Sequence, residues 1–179
     1  VGFGDAGIGL LIKSRLGWLM LLVLVNLITA EAIAQYEHAI SKVVALVFFL
    51  PLLTGSGGNA GSQSSTLVIR DLATGDAEFK DWFHLVVKEI GISLMIGITI
   101  GLAILGPSFL QGGAPVALVV ALSGVLIVVF SSVMGIAIPL ALAKFGLDPA
   151  ASSSPLITSL ADIVGVFIYF GIASWYLKI

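Results

Sequence analysis

The sequence contains no cysteine, only two histidines and few charged residues, and each shortage removes a class of function. Without cysteine there is no disulfide framework and no thiolate metal site. His38 and His84 stand at the ends of apolar stretches, which argues against a zinc centre and against a serine hydrolase built on Ser56. The glycine cluster at 55–61 lacks the Gly-Lys-Ser/Thr of a phosphate loop, and no basic patch supports nucleic-acid binding. We therefore expect neither an enzyme nor a nucleic-acid-binding protein.

Charged residues make up 10% of the 179 residues and hydrophobic residues 59%, whereas soluble domains average roughly 25% charged residues. No charged residue lies between Glu89 and Lys144, and about 20 apolar residues suffice to cross a bilayer. That interval is therefore long enough for two crossings, of which the second is expected to tilt or to bend at Pro139. The pattern predicts an all-α membrane protein with five transmembrane helices, at about Leu16–Gln35, Val43–Ile69, Leu85–Leu105, Pro115–Ala143 and Leu156–Leu177.

The distribution of lysine and arginine predicts the orientation of these spans, because cytoplasmic connections carry the excess of basic residues. With a cytoplasmic N-terminus and an extracytoplasmic C-terminus, only Lys42 and Lys178 lie outside, and six basic residues lie inside: Lys13, Arg15, Arg70, Lys80, Lys88 and Lys144. The acidic connection at 71–81 is expected to be mainly a solvated loop. The stretch at 1–9 lacks the features of a signal peptide. We expect a single transmembrane domain at 1–179, taken from a longer protein of the cell (inner) membrane.

Asp162 lies seven residues into the fifth predicted span. A carboxylate at depth costs about 2.5–3.5 kcal/mol on insertion scales and needs a polar or wet environment. Thr158, Asp162, Gly165 and Tyr169 recur at three- and four-residue spacing, so they share one face of the helix. No basic residue lies at depth in any span, which favours a mobile cation as the counter-ion. The alternative is a structural aspartate that hydrogen-bonds to a neighbouring helix.

The second predicted span carries the stretch PLLTGSGGNAGSQSS at 51–65. Bare amides such as Asn59 and Gln63 need partners in hydrocarbon. Pro51 and the glycines are expected to loosen the helix and to free carbonyl groups that line a cavity. Two rows follow from the helical spacing: a polar face that a hydrated cation could follow (Gly55, Asn59, Ser62 and Thr66) and a small-residue row for close helix packing (Gly57, Gly61 and Ser65).

Three further acidic residues stand near the predicted ends of spans. Glu31 is expected at the outer interface, where a carboxylate reaches water. Glu89 lies near the start of the third span, and Asp148 lies in the turn before the fifth. Capping of the helix is the simplest role for Asp148. A cation-binding mouth at the cytoplasmic side, or a regulatory contact, is the sharper hypothesis for Glu89 and Asp148.

These patterns leave three functions open. The first is a passive ion channel with Asp162 as the ion-binding residue. The second is a cation- or proton-coupled secondary transporter, in which Asp162 titrates or binds a coupling ion while a solute occupies the glycine-rich segment. The third is a structural membrane anchor.

Three segments carry a resemblance to a known family: Pro51-x-Leu-x-Gly-x-Gly-Gly-Asn-x-Gly-x-Gln-Ser64, Asp148-Pro-Ala150 and Pro155-x-x-Thr-x-x-x-Asp162-x-x-Gly165. The sequence resembles the transmembrane domain of the MgtE family of magnesium channels over essentially its whole length. The resemblance implies a five-helix domain that forms a homodimer in membrane lipid, with one ion path between the subunits.

The resemblance also implies where the ion passes. Asp162 would hold Mg²⁺, with its copy from the second subunit facing it, and Mn²⁺ and Ca²⁺ are further candidate ions. The second and fifth spans would line the path, through Gly55, Gly58, Asn59, Ser62, Thr66, Thr158, Ala161 and Gly165. Cytosolic regulatory domains, an N-domain and CBS domains, precede this domain in full-length members and are absent from this chain.

Overall fold

The computed structural model describes residues 7–179, apart from the side chains of Ser14 and of residues 150–153. Within that part of the chain the regular elements are all helical: α1 (Ile8–Ala34), α2 (Glu37–Lys42), α3 (Ala45–Thr74), a 3-10 turn (Phe79–Asp81), α4 (Trp82–Lys144) and α5 (Pro149–Leu177). The all-helical class predicted from composition is confirmed. Residues 1–6, most of the stretch without signal-peptide features, lie outside the described residues.

α1 is the least enclosed of the long helices. Its leucines and isoleucines stay largely exposed, with Leu24 57% and Leu27 61% accessible, as expected for side chains that face lipid. At its C-terminal end the chain turns at Tyr36, whose ring stacks on Phe170 of α5 with centroids 5.2 Å apart. α1 is therefore attached to the other helices mainly through α5.

α3 runs without interruption through Pro51 and the whole glycine cluster. The irregular backbone predicted for this segment is therefore not found, although Pro51 has no N–H with which to bond to the carbonyl four residues before it. Glycine is tolerated there because it lets a neighbouring helix come close: a Cβ on Gly57 would lie 2.6 Å from Cγ2 of Ile127, and one on Gly61 would lie 2.6 Å from the carbonyl oxygen of Ser131. The small-residue row Gly57, Gly61 and Ser65 is buried, which confirms its packing role.

α4 is a helical hairpin rather than one straight rod. Gly113 has φ 72° and ψ −175°, a conformation that favours glycine, and it separates a first arm (82–112) from a second arm (114–144). The arms pack antiparallel, because Gly97 of the first approaches Val125 of the second and Gly101 approaches Ala121. The second arm keeps its helical conformation through Pro139, so the break in α4 lies at the connection between the arms and not at that proline.

The core lies where α3, the hairpin and α5 meet. Tyr169 of α5 is fully buried there, and its hydroxyl donates to the carbonyl of Leu46 at 2.9 Å. The connection after α3 is more ordered than the predicted solvated loop: it contains the 3-10 turn, and Lys144 lies 4.4 Å above the ring of Phe79. The principal buried cluster includes Leu46, Leu53, Val119, Val120, Ile127, Val166, Tyr169 and Phe170.

Three segments of the described chain are long and apolar enough to cross a membrane: Ile8–Ala34, Phe79–Lys144 and Ser154–Leu177. The second of these contains both arms of the hairpin. α3 does not reach the same hydropathy, because its central turns carry hydroxyl and amide side chains. The chain is a helical membrane protein, and the five-span arrangement stays a prediction.

Candidate functional site

The candidate site lies where α3 and α5 run antiparallel. The Thr54 side chain lies beside the Asp162 carboxylate. One turn further along α3, a Cβ on Gly58 would lie 3.2 Å from Cγ2 of Thr158. Each step of four residues along α3 is matched by a step of four back along α5. We call this contact the α3–α5 seam: Thr54, Gly58 and Ser62 of α3 with Ser154, Thr158 and Asp162 of α5.

The seam ends in a pair of hydroxyl groups. The Oγ atoms of Ser62 and Ser154 lie 3.0 Å apart and share a hydrogen bond. Thr158 Oγ1 donates to the carbonyl of Ser154 at 3.0 Å, so this hydroxyl remains on its own helix. The seam is therefore polar along two turns of each helix.

Asp162 is half-buried, and the Thr54 side chain lies beside its carboxylate. The ion pairs found in the described part of the chain are Arg70–Asp71 and Lys80–Glu78, both distant in sequence from the seam. No lysine, arginine or histidine described by the structure pairs with Asp162. The carboxylate thus lies within a membrane helix without a cationic partner among the described side chains.

A polar groove opens beside the seam. It has a volume of about 550 Å³ and its wall is built from successive turns of α3. Asn59, Gln63 and Thr66 are exposed in it. We call it the α3 groove, and its lining residues are Asn59, Ser62, Gln63, Thr66 and Leu67.

The structure distributes the predicted path residues over two environments. Gly55 is exposed, and a Cβ built on it would meet nothing within 4 Å, so it faces open space as the groove residues do. Ala161 is fully buried, and Gly165 is buried against Thr54 and Ile127. Gly58 and Thr158 face each other across the seam. The assignment of these residues to an ion path stays a prediction.

Sequence reasoning did not select Thr54 or Ser154 as site residues. The signal was present, because Thr54, Gly58 and Ser62 follow one another at four-residue steps and Ser154, Thr158 and Asp162 do the same. The prediction started its face at Gly55 instead, about a third of a turn around the helix. The predicted row therefore contains residues that face the open groove, but it does not contain Thr54, which lies beside the Asp162 carboxylate.

The other two acidic candidates lie in unlike surroundings. Asp148 is exposed directly before the first residue of α5, in the turn predicted for it. Glu89 lies in the first arm of the hairpin and is half-buried, and Ser64 Oγ of α3 donates to its Oε1 at 2.6 Å. Glu89 is therefore held against α3 by this hydrogen bond, and its place at a cytoplasmic mouth stays a prediction.

Among the described residues no three His, Cys, Asp or Glu side chains come together as a metal cage. Magnesium dehydrates reluctantly and is commonly held by one or two carboxylates with several waters retained. A single carboxylate beside hydroxyl and amide groups fits a hydrated ion better than a fully protein-bound one. This donor set consists only of oxygen ligands, which suits hard cations.

The fold and the site together define a helical membrane protein with an intramembrane carboxylate on a polar seam between two helices. Residues 50–172 match the family model MgtE, described as a divalent cation transporter. The chain belongs to the MgtE family.

Individual relatives agree with that assignment. The chain is 38% identical over 176 residues to the magnesium transporter MgtE of Thermus thermophilus. This match covers 98% of this chain and 39% of that protein. It is 40% identical over 164 residues to the magnesium transporter MgtE of Bacillus subtilis. This match covers 91% of this chain and 36% of that protein. A third relative of the same name, from Enterococcus faecalis, is 34% identical over 167 residues, covering 93% of this chain and 37% of the relative. The chain therefore spans less than two-fifths of the length of these relatives.

Proposed function

We propose that the chain is the ion-conducting membrane part of a Mg²⁺ transport protein and passes Mg²⁺ down its electrochemical gradient into the cytoplasm. Asp162 is the principal ion-binding residue. The observation that carries the proposal is the position of its carboxylate, which lies beside Thr54 on the polar α3–α5 seam and has no cationic partner among the described side chains. The names of the relatives support Mg²⁺ as the transported ion.

The exposed amides of the α3 groove support a homodimer. Asn59 and Gln63 stand on a helix surrounded by apolar neighbours, and amides left in hydrocarbon cost free energy unless they are paired or hydrated. A second copy of the chain that faces this groove would enclose it and fill it with water. Two copies of Asp162 would then lie near the two-fold axis and hold one hydrated ion between them.

The proposed topology has five crossings with the N-terminus in the cytoplasm. The hairpin supplies two antiparallel arms, and α1, α3 and α5 supply one crossing each. α3 crosses despite its polar turns because its hydroxyl and amide groups face the seam and the groove. We expect cytosolic regulatory domains, in the part of the full-length protein beyond this chain, to control opening.

The proposal is tested by divalent-cation flux into proteoliposomes that contain this domain, with a Mg²⁺-sensitive dye inside and Mg²⁺ added outside. We expect Asp162→Asn to lower Mg²⁺ flux by roughly tenfold or more, because the neutral amide keeps the shape but loses the charge. Glu31→Gln is the matched control, since it neutralises an exposed acid of α1 away from the seam.

The pH dependence separates the channel from its main alternative. A channel that holds a hydrated ion shows little dependence of Mg²⁺ flux on a proton gradient. Flux that follows an imposed proton gradient, together with saturable uptake of a solute, would favour the coupled transporter. Equal Mg²⁺ flux in the parent and in Asp162→Asn would contradict the assigned role of Asp162.

A further inference from the structure

A second polar cavity lies between α3 and the first arm of α4. It has a volume of about 270 Å³ and is separate from the α3–α5 seam, although Asn59, Gln63 and Leu67 line both it and the α3 groove. Its polar wall comes from Ser56, Asn59, Gln63, Ser64, Glu89 and Ser132. We call it the Glu89 cavity.

The Glu89 cavity contains a carboxylate whose charge is not balanced by any side chain that the structure describes. Ser64, which is 5% exposed, orients this group by donating to Oε1 at 2.6 Å. In the described part of the chain no lysine, arginine or histidine forms an ion pair with Glu89. Isoleucines of the first arm complete the wall, so the carboxylate lies against an apolar surface. Such a position is unfavourable for a lone negative charge, and a bound cation offsets that cost.

The other groups of the cavity suit a hydrated divalent cation. The amides of Asn59 and Gln63 present carbonyl oxygens, and Ser56 adds a hydroxyl. These oxygens can bind the ion or accept hydrogen bonds from its waters. Six waters occupy roughly 180 Å³ at the volume they have in the liquid, which is less than the volume of the cavity. The cavity has room for an ion that keeps its first hydration shell.

We propose that the Glu89 cavity is a second binding site for a hydrated divalent cation. Asn59 and Gln63 connect it to the α3 groove, so an ion held there lies beside the proposed path. The inference goes beyond the proposed function, because it requires a cation at Glu89 whether or not Asp162 belongs to the conducting path.

The test is a Mn²⁺ titration of the chain in lipid nanodiscs, followed by electron paramagnetic resonance and repeated with competing Mg²⁺. An Asp162→Asn background removes the charge at the seam and isolates the second site. In that background we expect saturable Mn²⁺ binding, which Glu89→Gln weakens by roughly tenfold or more. Glu31→Gln is the matched control and leaves the binding unchanged.

Two results would overturn the proposal: an Asp162→Asn chain that binds no Mn²⁺, or equal Mn²⁺ affinity after the addition of Glu89→Gln. Gln63→Lys provides a second variant, because Gln63 is exposed and its replacement leaves the Ser64–Glu89 hydrogen bond in place. The added ammonium would lie at the cavity wall and should expel Mn²⁺. Unchanged Mn²⁺ affinity in Gln63→Lys would also contradict the site.

The two proposals fail independently. Loss of Mg²⁺ flux in Asp162→Asn with no Mn²⁺ site at Glu89 would leave the proposed function intact and remove the second site. A Glu89-dependent Mn²⁺ site with equal Mg²⁺ flux in the parent and in Asp162→Asn would support the second site and remove the assigned role of Asp162.

Discussion

α3 carries two rows of small and polar residues that lead to different neighbours. Gly57 and Gly61 lie against the second arm of α4, where a single added carbon would meet Ile127 or the backbone of Ser131. Asn59 and Thr66 stand on another side of the same helix and face the open α3 groove. The first row brings α3 and the second arm together, and the second row faces the open groove on another side of α3.

The comparison shows that a glycine in a membrane helix has no single meaning. Gly61 and Gly55 lie in the same seven-residue stretch, yet a Cβ on Gly55 would meet nothing within 4 Å. What differs is the direction in which each residue points, and this follows from the helical spacing once one contact of the helix is known. Substitutions that add one carbon therefore separate packing positions from positions that face the groove.

The largest expected effect is that of Gly61→Ala on stability. Its Cβ would lie 2.5 Å from Cγ2 of Ile157 and 2.6 Å from the carbonyl oxygen of Ser131, and a backbone atom cannot move away as a flexible side chain can. We expect the variant to lose about 1–3 kcal/mol or more of stability, as for other overpacked cores. Thermal unfolding in detergent, followed by size-exclusion chromatography, measures the change.

Gly55→Ala is the matched control on the same helix, and it should keep the melting temperature of the parent. Equal melting temperatures for Gly61→Ala and the parent would show that the contact between α3 and the second arm is looser than the structure indicates. A large loss for Gly55→Ala would show instead that the open side of α3 is covered by a tightly packed neighbour.

Much of the fold could be predicted from the sequence because lipid imposes a strong pattern. The charge-free interval between Glu89 and Lys144 indicated two crossings, and the structure has two antiparallel arms there. The break itself was predicted only as lying between Leu105 and Pro115, since Gly112, Gly113 and Pro115 are all turn residues. α3 was predicted as one span, but a loosened segment was expected inside it, because glycine and proline disfavour helices in water, whereas α3 gains from close packing against its neighbours.

The candidate site was predictable in its central residue and less so in its surroundings. An unpaired acid in a membrane span is conspicuous in any sequence, so Asp162 could be selected without a structure. Its contact with Thr54 depends on which side of α3 faces α5, and one sequence does not contain that register. The link between Glu89 and Ser64 likewise depends on how the first arm packs against α3.

The second prediction concerns Thr54→Val, which keeps the shape of the side chain and removes the hydroxyl that contacts Asp162. Thr54 is a positioning residue, so its loss should let the carboxylate change orientation and lower Mg²⁺ flux by roughly tenfold, the size of effect typical for groups that orient metal ligands. The Mg²⁺ dependence of flux is the measurement, with the change expected in the half-saturating concentration.

Thr99→Val is the matched control for Thr54→Val, since Thr99 is exposed and its hydroxyl donates to Met95 of its own helix at 2.9 Å. Unaltered half-saturation in Thr54→Val would mean that the orientation of Asp162 does not depend on this hydroxyl. A drop in melting temperature with unchanged flux would assign Thr54 to packing instead.

A smaller effect is expected at the far end of the contact between α3 and α5. Tyr169→Phe removes the hydrogen bond to the Leu46 carbonyl in the buried core. Hydrogen bonds between membrane helices average about 0.6 kcal/mol in double-mutant cycles, so we expect a loss of about that size with unchanged Mg²⁺ flux. Tyr176→Phe, at an exposed position, is the control for the melting measurement. Loss of flux in Tyr169→Phe would extend the functional part of α5 beyond the seam.

The smallest effect is expected for the hydroxyl pair that ends the seam. Ser62 and Ser154 share a hydrogen bond at 3.0 Å, but both side chains are partly accessible and can bond to water when the partner is lost. A double-mutant cycle with Ser62→Ala and Ser154→Ala should therefore give a coupling of about 0.6 kcal/mol or less. A coupling above about 1.5 kcal/mol would contradict this interpretation and would mean that the seam is shielded from water at this end. In that case the polar row of α3 would resemble the packed row Gly57 and Gly61, and the difference between the two sides of the helix would disappear near Ser62.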